Sequence, residues 1–140
     1  MQYATFEVAD QLFGVEVGAV QEVLAFSEYT AVPLAPAAVA GLFNLRGQVI
    51  AAVDLRVRLG LPAQVLEGPV MNVILRADTE PVSLLVDRIG DVIELGDEIE
   101  PLPETITGPG RKLILGTFKL EDRLMLALDV AKATEIDSRD

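Results

Sequence analysis

Short apolar segments alternate with turn residues along most of the chain, and they come in pairs. Each pair has two segments rich in Val, Leu and Ile that flank a few turn residues, which is typical of β-hairpins. The pattern predicts four hairpins, formed by residues 3–8 with 12–17, 42–45 with 48–53, 71–77 with 82–86, and 113–120 with 124–128. Helical segments are predicted only around residues 17–24, after Asp54 and from Val130 onward. The chain is therefore predicted to be an all-β sandwich or barrel with short helices.

The chain also contains an internal repeat. Residues 41–55 align without a gap on residues 116–130, with Gly, Phe, Leu, Ala and Asp at coincident positions. Upstream, the valines at 17, 20 and 23 align on Val86, Ile89 and Val92. The repeat predicts one domain over residues 1–140, made of two halves that span approximately residues 3–60 and 70–136. Shared β-strand patterning is the alternative explanation for these matches.

Residues that both halves share are expected to serve the fold. Gly41 and Gly116 would permit a tight bend or a close approach of the backbone, because glycine has no Cβ. Asp54 and Asp129 each precede a predicted helix, where a carboxylate can accept hydrogen bonds from free N–H groups. These four residues are therefore predicted to be structural.

Arg46 and Gly47 occur in one half only, since Glu121 and Asp122 replace them in the other. An arginine at a hairpin tip presents a planar set of donors that suits a carboxylate or backbone carbonyls of a partner. Arg46 is therefore a candidate binding residue. The alternative is an internal salt bridge that stabilises the turn, with Asp54 as a candidate acceptor.

The composition mainly excludes classes of function. Lys and Arg number 11 against 22 Asp and Glu, and the net charge of −11 disfavours nucleic acids and anionic membranes. The chain lacks Cys and His, which removes the commonest general base and the commonest transition-metal ligand. No stretch resembles a signal peptide or a membrane span, so a cytoplasmic protein without membrane insertion is expected. The high net charge also favours a monomer when the protein is isolated.

Residues 87–104 carry seven carboxylates and only one basic residue, Arg88. A paired-carboxylate active site or a Ca²⁺ site would need a nucleophile, a base or an EF-hand loop, and none is present in this segment. A solvated acidic face is the preferred interpretation. The sequence therefore predicts neither an enzyme nor a metal or cofactor site.

Residues 41–60, GLFNLRGQVIAAVDLRVRLG, resemble the G-x-x-NLRG-x-x-x-P-V-x-DLR-x-R-x-G signature of CheW-type chemotaxis coupling proteins. Ala51 stands where that family often has proline. The resemblance extends over nearly the whole chain, through Phe6, residues 14–24, Val32-Pro33, residues 85–87 and residues 116–132. It implies two five-stranded SH3- or OB-like barrels packed on each other, and a non-catalytic adaptor. Such an adaptor bridges chemoreceptor tips and the regulatory domain of the histidine kinase CheA.

The resemblance also suggests roles for individual residues. A groove between the barrels would receive a receptor helix tip, with Val17, Val20 and Val23 on one wall and Val86 on the other. Simple core packing is the alternative for the three valines, because one face of an amphipathic helix must be buried. Arg46 would contact the receptor or orient a contact, and the structural motif would consist of Gly41, Asn44, Gly47, Asp54, Gly116 and Asp129. The alternative functions are a small-ligand-binding β-barrel and an allosteric regulatory subunit of another enzyme.

Overall fold

The computed structural model describes residues 1–25, 29–61, 70–78 and 80–135, which form ten strands and two short α-helices. The strands are β1 (Gln2–Val8), β2 (Gln11–Glu16), β3 (Val20–Leu24), β4 (Val39–Leu45), β5 (Gln48–Asp54), β6 (Met71–Leu75), β7 (Val82–Val86), β8 (Arg88–Glu94), β9 (Ile114–Lys119) and β10 (Leu124–Leu128). The helices are α1 (Leu55–Arg58) and α2 (Val130–Ala133), and 3-10 turns at Val17–Ala19 and Pro109–Leu113 lead into β3 and β9.

All four predicted hairpins are present, as the antiparallel pairs β1–β2, β4–β5, β6–β7 and β9–β10. Alternating apolar residues and short turns act over only a few positions, which is why the sequence pattern locates these elements well. Thr79, in the turn of the third hairpin, and residue 136, at the end of the second predicted repeat half, lie outside the described residues.

The predicted helix over residues 17–24 is wrong. Only Val17–Ala19 forms a 3-10 turn, and the rest of the segment is strand β3, which pairs with β6. The register of this pair shifts between Val20 and Glu22, so β3 carries one extra residue there. An extra residue lets positions three apart face the same side of a strand, which reproduces the spacing expected of a helix. The β-branched valines favour the extended conformation.

The strands form two five-stranded sheets, in the orders β8-β1-β2-β10-β9 and β3-β6-β7-β5-β4. We call them sheet A and sheet B. The hairpin β1–β2 joins sheet A, whose other three strands come from the C-terminal part of the chain. Conversely, the hairpin β6–β7 joins sheet B, whose other strands come from the N-terminal part. The two sheets therefore do not coincide with the two sequence halves, and the chain crosses between them after β2 and after β7.

Three groups of buried side chains hold the sheets together. The largest lies between them and includes Phe6, Phe13, Val53 and Leu84, with contributions from both sheets. A second group, around Phe43 and Ile50, belongs to sheet B, and a third, around Phe118 and Met125, belongs to sheet A. Each sheet thus has an apolar interior of its own and packs on the other through a shared core. The predicted all-β fold of two packed five-stranded barrels with short helices is confirmed.

The outer strands β4 and β9 are each covered by a nearby segment. Thr30 pairs with Leu42 on β4, and Glu100 pairs with Thr117 on β9. A Cβ at Gly41 would lie 2.8 Å from the Thr30 carbonyl oxygen, and one at Gly116 would lie 2.5 Å from the Glu100 carbonyl oxygen. Glycine is required at both places because any side chain would collide with the covering backbone.

Candidate functional site

An apolar groove lies at the boundary between the two sheets. It has a volume of about 210 Å³, and strand β3 of sheet B and strand β8 of sheet A both contribute to its walls. Val20 and Val23 come from β3, Ile89 and Val92 from β8, and Val17 from the 3-10 turn before β3. Both β3 and β8 are edge strands, so nothing within the described sheets covers their outer sides.

The walls of the groove are unusually exposed for aliphatic side chains. Val23 is 40% exposed, Ile89 is 39% exposed and Val92 is 57% exposed. Val20 is half-buried, because it also packs against the core between the sheets. Exposed aliphatic groups gathered at edge strands are typical of a surface that a partner covers. The sequence left two alternatives for Val20, lining the groove or packing in the core. The Val20 side chain does both.

Val86 lies apart from this groove, contrary to its expected place on the opposite wall. It is 1% exposed and belongs to the core between the sheets, because every residue of β7 is buried. The opposite wall is formed instead by Ile89 and Val92. These residues align on Val20 and Val23 in the internal repeat, so the alignment carried the signal that would have identified them.

Strand β8 lies very close to β1 where it forms the groove. A Cβ at Gly90 would lie 2.4 Å from the Thr5 Oγ1, and the Thr5 hydroxyl donates a hydrogen bond of 2.5 Å to the Asp91 carbonyl oxygen. The register of β1 and β8 also shifts between Ala4 and Phe6. The absence of a side chain at Gly90 therefore lets β8 approach β1 and keeps that part of the groove open.

Arg46 and Gly47 form the two-residue turn between β4 and β5. Both have positive φ, at 51° and 89°, and Leu45 pairs with Gln48 across the turn. The Asn44 side-chain oxygen accepts a 2.8 Å hydrogen bond from the Gly47 N–H. Positive φ at both central residues matches the twist of the flanking strands, and Gly47 adopts this conformation at little cost.

The Arg46 side chain points away from its own hairpin and binds Glu22 on β3. Both terminal nitrogens of the guanidinium donate to the carboxylate, with 3.2 Å between Nη1 and Oε1. The internal salt bridge considered from the sequence is thus present, but its acceptor is Glu22. Asp54 is at the other end of β5, beyond the reach of the turn.

The ion pair favours the charged form of both partners. The hydrogen bond from Arg46 lowers the pKa of the Glu22 carboxyl, and Glu22 raises the pKa of Arg46, so both remain charged around neutral pH. Because Glu22 precedes Val23, the pair connects the β4–β5 turn to a strand that forms the groove. Arg46 is not among the groove-lining residues.

Asp54 and Asp129 both act as helix N-caps. The Asp54 carboxylate accepts a 3.0 Å hydrogen bond from the Arg56 N–H, and Asp129 accepts one of 3.2 Å from the Lys132 N–H. Burial raises the pKa of Asp54, although the hydrogen bonds from the backbone oppose this effect. The matched positions of the two aspartates in the repeat thus correspond to matched local structure.

Replacing either capping aspartate with alanine is expected to lower the free energy of unfolding by ~0.5–2 kcal/mol, because a free N–H group loses its acceptor. Urea denaturation of Asp54→Ala and Asp129→Ala measures this loss. Asp122→Ala, in the exposed turn between β9 and β10, is the control and should leave stability unchanged. An Asp54→Ala variant with wild-type stability and no signalling would instead assign Asp54 a direct role in binding.

Asp87 is a structural residue that the sequence did not single out. It lies where the chain crosses from β7 to β8, and its Oδ2 accepts hydrogen bonds from Arg56, at 2.7 Å, and from the Ala9 N–H, at 2.8 Å. Ala9 is in the β1–β2 turn, and Arg56 is on α1. Asp87 therefore links the β1–β2 turn of sheet A to α1, the helix that follows strand β5 of sheet B.

Within residues 1–25, 29–61, 70–78 and 80–135, no group of three or more acidic side chains is arranged to hold a metal ion. None of the helices in these ranges is both long enough and apolar enough to cross a membrane.

Comparison with known proteins gives consistent matches over nearly the full length. "Chemotaxis protein CheW" of Rhizobium meliloti (strain 1021) is 34% identical over 138 residues, covering 96% of this chain and 88% of that protein. The protein of the same name in Treponema pallidum (strain Nichols) is 31% identical over 136 residues, covering 94% and 80%. The crystal structure of the scaffolding protein TtCheW from Thermoanaerobacter tengcongensis superposes with a TM-score of 0.86 at 25% identity, covering 98% of this chain and 89% of that one.

The family model that describes the CheW-like domain matches residues 2–137. This range includes both sheets, both walls of the groove and the Arg46 turn. The chain belongs to the CheW-like domain family.

Proposed function

We propose that this protein is an adaptor that couples chemoreceptors to the histidine kinase CheA and performs no catalytic step itself. The observation that carries the proposal is the exposed aliphatic groove between β3 and β8, on a chain of the CheW-like family. Its relatives are chemotaxis proteins, and a structure that it resembles is that of a scaffolding protein. Both support a role in assembling other proteins. In the cell we expect the protein in the cytoplasm, recruited to receptor arrays.

The groove is proposed to receive a helix from the cytoplasmic tip of a receptor. Helix-in-groove recognition uses aliphatic contacts on one face of the helix, and the walls offer such contacts on two sides. Val23 and Val92 are the most exposed members of the β3 and β8 walls, respectively. Arg46 supports the site in this proposal by fixing Glu22, and with it the course of β3, rather than by filling the groove.

The kinase partner is proposed to be the regulatory domain of CheA, which would bind a surface other than the groove. Titration calorimetry with that domain is expected to give a saturable heat with modest affinity, and a receptor fragment added afterwards should still bind. A wild-type chain that shows no heat and no co-migration with the kinase domain at high micromolar concentration would contradict the proposal.

A small-ligand-binding barrel is less well supported as an alternative. Ligand sites are usually about 300–1,000 Å³ and contain several convergent polar groups. The groove is about 210 Å³ and is lined mainly by aliphatic side chains, open to solvent at the sheet edges. No observation favours an allosteric regulatory subunit over the adaptor.

A further inference from the structure

The groove does not end at Val17 but continues into an open recess of about 520 Å³. The recess is lined by Met1, Gln2, Glu16, Val17, Gly18 and Glu94. Val17 lines both spaces, so a ligand that fills the groove can extend past it into the recess. Beyond Val17 the lining gains two carboxylates, those of Glu16 and Glu94, beside apolar atoms.

Two carboxylates on opposite sides of β1 make the recess acidic. Glu16 pairs with Tyr3 at the end of β2, and Glu94 pairs with Gln2 at the end of β8. Both glutamates are exposed. The pKa of Tyr3 is raised first by burial and then by the negative charges of Glu16 and Asp97, which is consistent with a negative potential here.

The balancing cations near the recess are few. The N-terminal ammonium of Met1 lies 3.4 Å from Glu94 Oε1. Among the described residues, no cation lies within ion-pair distance of Glu16. Arg76 donates to the carbonyl oxygens of Gly18 and Val20, and its side chain is not part of the recess lining. Glu16 therefore carries a negative charge that no cation of the described residues pairs, and it lies at the end of an apolar groove.

We infer that the occupant of the groove is an amphipathic helix that carries a Lys or Arg side chain beside its apolar face, seated against Glu16 and Glu94. This inference rests on the proposed function and specifies the chemistry of its receptor partner. The aliphatic face fills the groove, and the cation at a neighbouring turn, about 5 Å further along the helix, reaches the recess. A helix with an acidic residue at that position is repelled, so the recess selects among helices with similar apolar faces.

The test is binding of a soluble receptor fragment that contains the cytoplasmic tip, measured at low and at high salt. Glu16→Lys is expected to weaken binding at low salt by about tenfold or more, as for a reversed charge contact, and the difference should shrink at high salt. Glu16→Gln should weaken binding less than Glu16→Lys does. It replaces Glu16→Lys in the measurement if the lysine variant does not fold. Glu121→Lys, an equally simple charge reversal in the exposed β9–β10 turn, is the control and should bind as the wild type does.

A compensating change in the receptor makes the test specific. Replacing the receptor cation with glutamate should weaken binding to the wild-type chain and restore part of the binding to Glu16→Lys. Wild-type affinity and wild-type salt dependence in Glu16→Lys would overturn the inference while leaving the adaptor function intact. Failure of the wild-type chain to bind the fragment would overturn both. Self-association that disappears in Val92→Asp would identify a second copy as the occupant and would also overturn it.

Discussion

The Val92→Asp variant is expected to lose receptor coupling while its fold and its binding to the CheA regulatory domain persist. Val92 is 57% exposed on the edge strand β8, so the free protein tolerates a charge there. In the complex, however, the aspartate would be buried against an aliphatic helix face, and an unpaired buried charge costs several kcal/mol. Each 1.4 kcal/mol is about tenfold in affinity, so a loss of at least about a hundredfold is expected. Receptor-stimulated kinase activity in a reconstituted array measures the loss.

Val49→Asp is a closely matched control for Val92→Asp. Val49 is also a valine on a strand, is also 57% exposed and does not line the groove. The control should couple to the receptor as the wild type does. Full receptor coupling by a folded Val92→Asp variant would exclude the groove as the receptor site.

The Val20→Asp variant tests whether the Val20 side chain serves the groove, the core or both. Val20 lines the groove and also packs against the core between the sheets, so the substitution should weaken receptor binding and lower stability as well. Circular dichroism beside a receptor pull-down distinguishes these effects. Gross unfolding of Val20→Asp together with full receptor coupling by Val92→Asp would show that the valines serve only the core.

The Arg46→Glu variant is expected to stay folded and to lose most of its receptor coupling. The β4–β5 ladder and the hydrogen bond from the Gly47 N–H to Asn44 hold the turn, so the turn does not need the arginine side chain. The Arg46 side chain is 68% exposed, and exposed ion pairs add only ~0–1 kcal/mol to stability. The substitution nevertheless places a glutamate carboxylate beside that of Glu22 on β3. It also removes the two hydrogen bonds that the Arg46 guanidinium donates to Glu22. Arg46→Lys should be intermediate, because lysine keeps the charge but not that geometry.

Exchanging the two charges identifies how Arg46 acts. If Arg46 positions β3 through Glu22, the double variant Arg46→Glu with Glu22→Arg should recover much of the coupling that Arg46→Glu loses. If Arg46 binds the receptor directly, the exchange should not restore coupling. Kinase activation and thermal melts on the same preparations give the answer. Wild-type coupling by a folded Arg46→Glu variant would leave Arg46 with a role in the turn alone.

The sequence by itself determined the local elements and the family. Hairpins such as β4–β5 were predictable because alternating side chains and a two-residue turn like Arg46-Gly47 act within a few residues of each other. The same applies to the caps at Asp54 and Asp129, which need only the next helical turn. The NLRG and DLR motifs placed the chain near the CheW-type proteins, and the charge of −11 left few alternatives to a protein-binding role.

The tertiary structure alone decided which segments meet across the molecule. The hairpin β1–β2 pairs with strands more than seventy residues away, and nothing local to residues 2–16 specifies that exchange. The segment 17–24 became a strand because the open edge of β6 offered it hydrogen bonds that its own three-residue pattern does not encode. Likewise Glu22, rather than Asp54, accepts from Arg46, and Ile89 and Val92, rather than Val86, complete the groove. Pairing between distant strands depends on how two complete apolar faces fit together, and short-range patterns carry little information about that fit.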